Sequence, residues 1–208
     1  MHIVNPRIEE YLLSMTPERD PILTKMEKIA AEKSFPSVGP LVGRFLYQIV
    51  KMTKAKKIFE MGSGFGYSAY WMAKALPDGG RIICTDSSEE YRKMAIGFFN
   101  DGGVADPIEY RVGDAIALLK EEKGPFDIIF NDVDKHQYPL VPGLAYPRLR
   151  QGGLLITDNL LWDGKILKEK PDENTTGVLE YTKLVSDDKK FWTTIIPIRD
   201  GISISLKL

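Results

Sequence analysis

Ile58-Phe59-Glu60-Met61-Gly62-Ser63-Gly64-Phe65-Gly66-Tyr67-Ser68 reads as a buried strand that ends in a carboxylate, turns on three glycines and runs into a helix. Glycines at such a turn take φ values closed to other residues and let backbone approach a ligand closely. The spacing is G-x-G-x-G, not the G-x-G-x-x-G of dinucleotide enzymes. Glu60 stands where the strand delivers its last side chain; a carboxylate there repels a pyrophosphate and welcomes an ammonium group. A cofactor with an amino-acid end fits this better than NAD, and S-adenosylmethionine (SAM) is the common one. The plain alternative is a tight strand-to-helix turn with no ligand.

Around this stretch the chain alternates short apolar runs with helical segments. Strands are expected at 57–61, 81–85, 108–112, 126–131, 153–157, 191–197 and 201–207. Helices are expected near 66–76, 88–100, 114–122, 136–149 and 174–187. Such alternation argues for a parallel α/β sheet covered on both faces. Asp200-Gly201 signals a hairpin joining the last two strands, which sets the chain apart from a plain dehydrogenase fold. Before Lys57 the spacing predicts three helices, carrying Ile8, Tyr11 and Leu12, then Ile22, Leu23, Met26, Ile29 and Ala30, then Leu41 through Val50. The lysines at the end of the third (Lys51, Lys54, Lys56, Lys57) are read as charge at a helix C-terminus or as an anion-binding patch. One domain, 1–208, is expected, with 1–55 as a helical cap within it.

Composition narrows the class. The chain has 208 residues, 43% hydrophobic and 27% charged, within reach of one globular α/β unit. A net charge of −1 gives no field to gather nucleic acid or an anionic membrane, so a small-molecule partner is expected. No run spans a bilayer, and the first residues lack a signal-peptide pattern. Cys84, the one cysteine, lies in an apolar run and reads as a buried hydrophobe in a reducing cytoplasm.

In open α/β sheets ligands sit beyond the carboxyl ends of the strands. The second strand delivers Asp86, which can accept the ribose hydroxyls of a nucleoside or cap the next helix; Ser87 and Ser88 can also do that capping. Asp114 can cap a helix or meet an adenine amino group. The fourth strand ends in Asn131-Asp132-Val133-Asp134-Lys135 and the fifth in Asp158-Asn159. If these strands are neighbours, Asp132, Asp158 and Asn159 form a hard, all-oxygen set suited to Mg²⁺, and no Cys/His cluster suggests zinc. The alternative is that they are caps and turn formers. Lys135 is either an exposed lysine starting a helix or a base, its neutral form favoured by a nearby dication and partial burial. His136 reads as solvent-facing and His2 as part of a frayed terminus, so no histidine triad is expected. Trp162 either walls the acceptor pocket or packs under its own loop.

Glu60–Ser68, Gly113-Asp114-Ala115, Asp132-Val133-Asp134-Lys135 and Ile156-Thr157-Asp158-Asn159-Leu160-Leu161-Trp162-Asp163-Gly164 stand in that order. Together with Ile8-Glu9-Glu10-Tyr11-Leu12 and the closing Asp200-Gly201, this pattern resembles the cation-dependent class I O-methyltransferases, the caffeoyl-CoA and catechol O-methyltransferases and their bacterial relatives. The resemblance covers nearly the whole chain. It implies a doubly wound, seven-stranded sheet with an antiparallel last strand, and a homodimer. It implies SAM held by Val38, Glu60, Gly62, Gly64, Ser68, Asp86, Asp114 and Ala115, with Asp132 and Asp134 beside it. It implies a divalent cation on Asp132, Asp158 and Asn159, Lys135 as general base, and a catechol-like acceptor. Two departures fall near cofactor and substrate: Ser37-Val38-Gly39-Pro40-Leu41-Val42 replaces a Ser/Thr- and acid-containing stretch, and Asn131 replaces an aliphatic residue. A metal-independent methyltransferase and a non-catalytic SAM-binding module are the competing readings.

Overall fold

The computed structural model describes residues 3–208, so the reading of His2 lies outside the described residues. Seven strands form one sheet in the order β3-β2-β1-β4-β5-β7-β6. They are β1 (Lys57–Met61), β2 (Arg81–Asp86), β3 (Ile108–Val112), β4 (Phe126–Asn131), β5 (Leu149–Thr157), β6 (Phe191–Ile196) and β7 (Ile202–Lys207). β1 through β5 pair in parallel, and β7 runs antiparallel to both β5 and β6. Strand order reverses between β1 and β4, the position at which open sheets of this kind bind ligands.

The sequence builds this sheet by burying consecutive residues on opposite faces. Ile58, Ile82, Ile128 and Ile156 join a core with α2 (Pro21–Glu32), α3 (Gly39–Thr53), α4 (Tyr67–Ala73) and α5 (Glu89–Asp101). Their neighbours Phe59, Ile83, Ile129 and Leu155 face the other way, onto α6 (Ala115–Glu121), α7 (Val141–Ala145) and α8 (Glu173–Asp187). Successive strand side chains point to opposite faces, so a strand apolar at every position must be covered twice. Phe59 is completely buried, and each such side chain contributes about 1.5–3 kcal/mol by removal from water. An Ile58→Asp change would place an unpaired charge in that core.

The expected helix at 136–149 is a correction. That stretch is a 3₁₀ turn (Lys135–Leu140), the short α7, and a second 3₁₀ turn (Tyr146–Arg148), after which β5 begins at Leu149. Pro139, Pro142 and Pro147 each lack the N–H that a continuous helix requires. The extra length of β5 pairs Leu149 with Phe126 across an irregularity between Phe126 and Ile128.

The first helix forms where expected, α1 (Pro6–Ser14), started by the Asn5 cap and Pro6, yet it buries none of its residues. Ile8, Tyr11 and Leu12 are exposed. At the end of α3, Lys54 takes the left-handed C-terminal position, and Lys57 donates to Gly124 O and lies over the Phe126 ring. Lys54 and Lys57 therefore have parts in the local structure. Cys84 is buried and His136 exposed, as expected.

Candidate active site

A crevice of about 740 Å³ opens along the carboxyl ends of β1, β2, β4 and β5. That volume suits a small-molecule site. The glycine turn forms its floor. The N–H groups of Gly62 and Ser63 both donate to Thr85 O, at 3.0 and 2.8 Å. Gly62 has φ +82°, and a Cβ there would collide with Asp132 O, so only glycine lets the turn lie against the loop that follows β4.

Asp86 leaves helix capping to Ser88, whose hydroxyl accepts the Tyr91 N–H. Its carboxylate accepts the Gly64 N–H at 2.9 Å and the Ser88 N–H at 2.9 Å, binding the end of β2 to the middle of the glycine turn. Asp114 caps α6 through the Ala117 N–H at 2.7 Å and takes Gln137 Nε2 on its other oxygen at 3.2 Å. It lines the crevice while doing so.

Glu60 corrects the simplest reading. Its side chain is fully buried and is absent from the crevice lining. The Ser63 hydroxyl donates to Oε2 at 2.6 Å and the Ser68 hydroxyl donates to Oε1. Burial raises its pKa, and the two serine hydrogen bonds oppose that rise. In this arrangement the carboxylate sits beneath the cavity lining, holding Ser63 and Ser68.

Val38, Gly62, Gly64, Ser68, Asp86, Asp114, Ala115, Asp132, Asp134, Lys135, Asp158 and Asn159 all line the one crevice. β4 and β5 are adjacent, and their loops bring Asp132, Asp158 and Asn159 to one edge of it. Lys135 Nζ donates to Asp132 Oδ1 at 2.9 Å, with side-chain exposures of only 13% and 19%. Asp158 is 1% exposed, and its Oδ1 has no protein partner. Burial and then the charge of Asp132 raise the Asp158 pKa. Asn159 reaches its place with a left-handed backbone, φ +60°. Among the described residues no three His, Cys, Asp or Glu side chains form a metal cluster; this set is two carboxylates and an amide. An orphaned carboxylate oxygen beside a second buried acid is nevertheless what a hard dication would satisfy.

Three contributors were not legible as such. Phe35, read as part of a turn, stands where a Cβ on Gly64 would need to go and lines the crevice. Tyr138 donates its hydroxyl to Asp158 O at 2.9 Å. Asp200, read only as a hairpin signal, accepts the Asp163 N–H at 2.6 Å and the Asn159 amide at 3.4 Å. Trp162 lines the crevice with Lys135 and Lys165 over its ring, at 5.4 and 4.4 Å.

Fold and crevice define a class I methyltransferase: a seven-stranded sheet with an antiparallel β7 and a glycine turn at its switch point. The O-methyltransferase family profile matches residues 13–208, and the chain belongs to that family. It is 35% identical over 175 residues to a catechol O-methyltransferase of Niastella koreensis, covering 81% of this chain and 77% of that one. It is 32% identical over 179 residues to caffeoyl-CoA O-methyltransferase 1 of Eucalyptus globulus, covering 80% and 72%. Among solved structures, an O-methyltransferase of Bacillus cereus in complex with SAH matches with a TM-score of 0.88 at 26% identity, covering 97% of each chain. A Streptomyces achromogenes O-methyltransferase in complex with SAM matches at 0.87 and 26%, over 97% and 96%. The protein is a SAM-dependent O-methyltransferase.

Proposed function

We propose that the protein methylates one hydroxyl of a vicinal dihydroxy aromatic, assisted by a divalent cation, with Mg²⁺ the expected ion. The observation that carries this reading is the meeting of Lys135, Asp132 and the orphaned Asp158 at one edge of the crevice that the glycine turn floors. The relatives named for catechol and caffeoyl-CoA support the acceptor class.

Asp132, Asp158 and Asn159 would hold the cation. When bound, such an ion stabilises a developing oxyanion and orients adjacent hydroxyls. The glycine turn, with Val38, Ser68, Asp86, Asp114, Ala115 and Asp134, holds SAM, and Glu60 supports it from below. Lys135 is the general base that takes the proton of the reacting hydroxyl. The hydroxyl oxygen forms a bond to the methyl carbon as the sulfur–methyl bond breaks, and S-adenosylhomocysteine leaves. Alignment of the two substrates supplies much of the acceleration. Trp162 forms one wall of the acceptor side.

The chain is taken as one methyltransferase domain with residues 1–55 as its cap. The family resemblance supports a homodimer, and a lone buried Cys84 accords with a reducing cytoplasm. No helix among the described residues is long and apolar enough to cross a membrane. The test is methyl transfer from SAM to a panel of catechols, caffeoyl esters and flavonoids, before and after EDTA and after Mg²⁺ is restored. Transfer to vicinal diols that EDTA abolishes is expected. Transfer that survives chelation would remove the metal from the reading, and no transfer to any vicinal diol would remove the acceptor class.

A further inference from the structure

Arg199 occupies the turn between β6 and β7 with φ +50°, a left-handed conformation that glycine adopts without cost and a residue carrying a Cβ does not. Its side chain is half-buried and lines the crevice. A Cβ placed on Gly39 would stand 3.5 Å from Arg199 Nε, so the guanidinium end runs beside the start of α3. The next residue, Asp200, is bound to Asn159 and to the Asp163 N–H. Arg199 therefore stands in the crevice lining between the start of α3 and the edge that carries Asn159.

Its charge has no close ion-pair partner among the described residues. Carboxylates outnumber bases in the lining, and the bases among the described residues are Lys135 and Arg199. Lys135 is paired with Asp132 at 2.9 Å. Arg199 makes no ion pair within 4.0 Å among the described residues, and it acts on Asp132, Asp158 and Asp200 only at longer range. A bound sulfonium and dication would give those acids positive partners of their own. A half-buried guanidinium would then remain in the crevice lining, carried on a turn of constrained backbone. Arginine recognises carboxylates through paired, charge-assisted hydrogen bonds. We propose that Arg199 binds a carboxylate on the acceptor, so that the preferred substrates are vicinal dihydroxy aromatics bearing an acid group. This rests on the acceptor class proposed above.

The test compares a dihydroxybenzoate having adjacent hydroxyls with the corresponding benzamide, which keeps the shape and removes the charge. Methyl transfer is measured with SAM and Mg²⁺, and equilibrium binding of each compound is measured by calorimetry with SAH and Mg²⁺. The wild type should favour the acid by about 10-fold or more in kcat/KM and in affinity, the scale of a charge-assisted pair lost from one partner. Arg199→Gly and Arg199→Gln should bring both ratios towards one, and Arg199→Lys should retain part of the preference. The glycine variant suits the left-handed turn, so its Tm should stay within a few degrees of wild type. A wild type indifferent to the acid group, or variants that weaken acid and amide equally, would overturn the proposal. If neither compound is methylated but the binding preference is present and lost in Arg199→Gly, the arginine assignment stands and the vicinal-diol reading falls.

Discussion

Lys135 Nζ and Asp132 Oδ1 lie 2.9 Å apart in a crevice edge where both side chains are largely shielded from water. The lysine follows the aspartate by three residues, in the turn after β4, and its ammonium also faces the rings of Tyr138 and Trp162. The pair places the residue proposed as general base beside an acid proposed as a metal ligand. It also means that any change at Lys135 acts on stability as well as on chemistry, because the partner acid is left behind.

Substituting Lys135 separates these effects. Lys135→Ala should reduce kcat by about 10²–10⁴-fold, the range for loss of a general base. It should also lower Tm, since Asp132 loses its ion-pair partner. Lys135→Arg keeps the charge and cannot accept the proton at neutral pH, so it should keep most of the stability and lose activity. Thermal melts and single-turnover methyl transfer check both; an active arginine variant would remove the base role.

Asp158→Asn should have opposite signs in two assays. Without added metal it removes a buried like charge next to Asp132, so the Tm should rise. With Mg²⁺, the wild type should gain Tm in proportion to metal binding, and the variant should gain little. Differential scanning fluorimetry with EDTA and with Mg²⁺ reads both. Equal Mg²⁺ increments in the two proteins would detach Asp158 from metal binding.

Glu60→Gln tests how a buried carboxylate supports the turn. The amide can keep one serine contact and removes a charge that burial disfavours, so Tm should not fall. Affinity for SAH should weaken by about 10-fold if the field of the carboxylate reaches the ligand's ammonium, the scale of a charged interaction. Calorimetric titration with SAH measures it. Unchanged affinity would leave Glu60 a purely structural part.

Asp127 gives the pH dependence. Its carboxylate accepts the Lys56 and Lys57 N–H groups at 2.8 Å each and the Arg150 Nε at 2.5 Å. Burial alone would raise its pKa, but the Arg150 hydrogen bond, the two N–H groups and the Arg150 charge together lower it. A folded-state pKa below the unfolded one contributes stability above the unfolded value of about 3.9, and that contribution is lost as pH falls through the folded value. Asp127→Ala should therefore cost about 1–3 kcal/mol at pH 7. The gap from wild type should narrow below about pH 4 in urea melts. A gap that stays constant down to about pH 3 would contradict the assignment.

Much of the fold was legible in local pattern. Strands such as Ile58-Phe59 and Ile128-Ile129, apolar on consecutive residues, demanded cover on both faces, and the glycine turn marked the switch point. The 136–149 segment was read as one helix from the alternation of strands and helices, but its three prolines, lacking N–H groups, break it into short turns. The α1 spacing formed a helix without burying it, since periodicity shows which residues share a face and not whether anything covers that face.

By itself, the sequence determined the order of elements, the glycine turn and the residue types at each strand end, because these follow from side-chain period and backbone freedom within short windows. Only the tertiary structure decided which acids face the ligand. Glu60 was drawn beneath the turn by two serine hydroxyls, whereas Arg199, distant in the chain and silent as a motif, was carried into the crevice. The cause is β7, which inserts between β5 and β6 and so returns the final turn to the crevice edge that carries Asp158 and Asn159, a long-range pairing that no local pattern encodes.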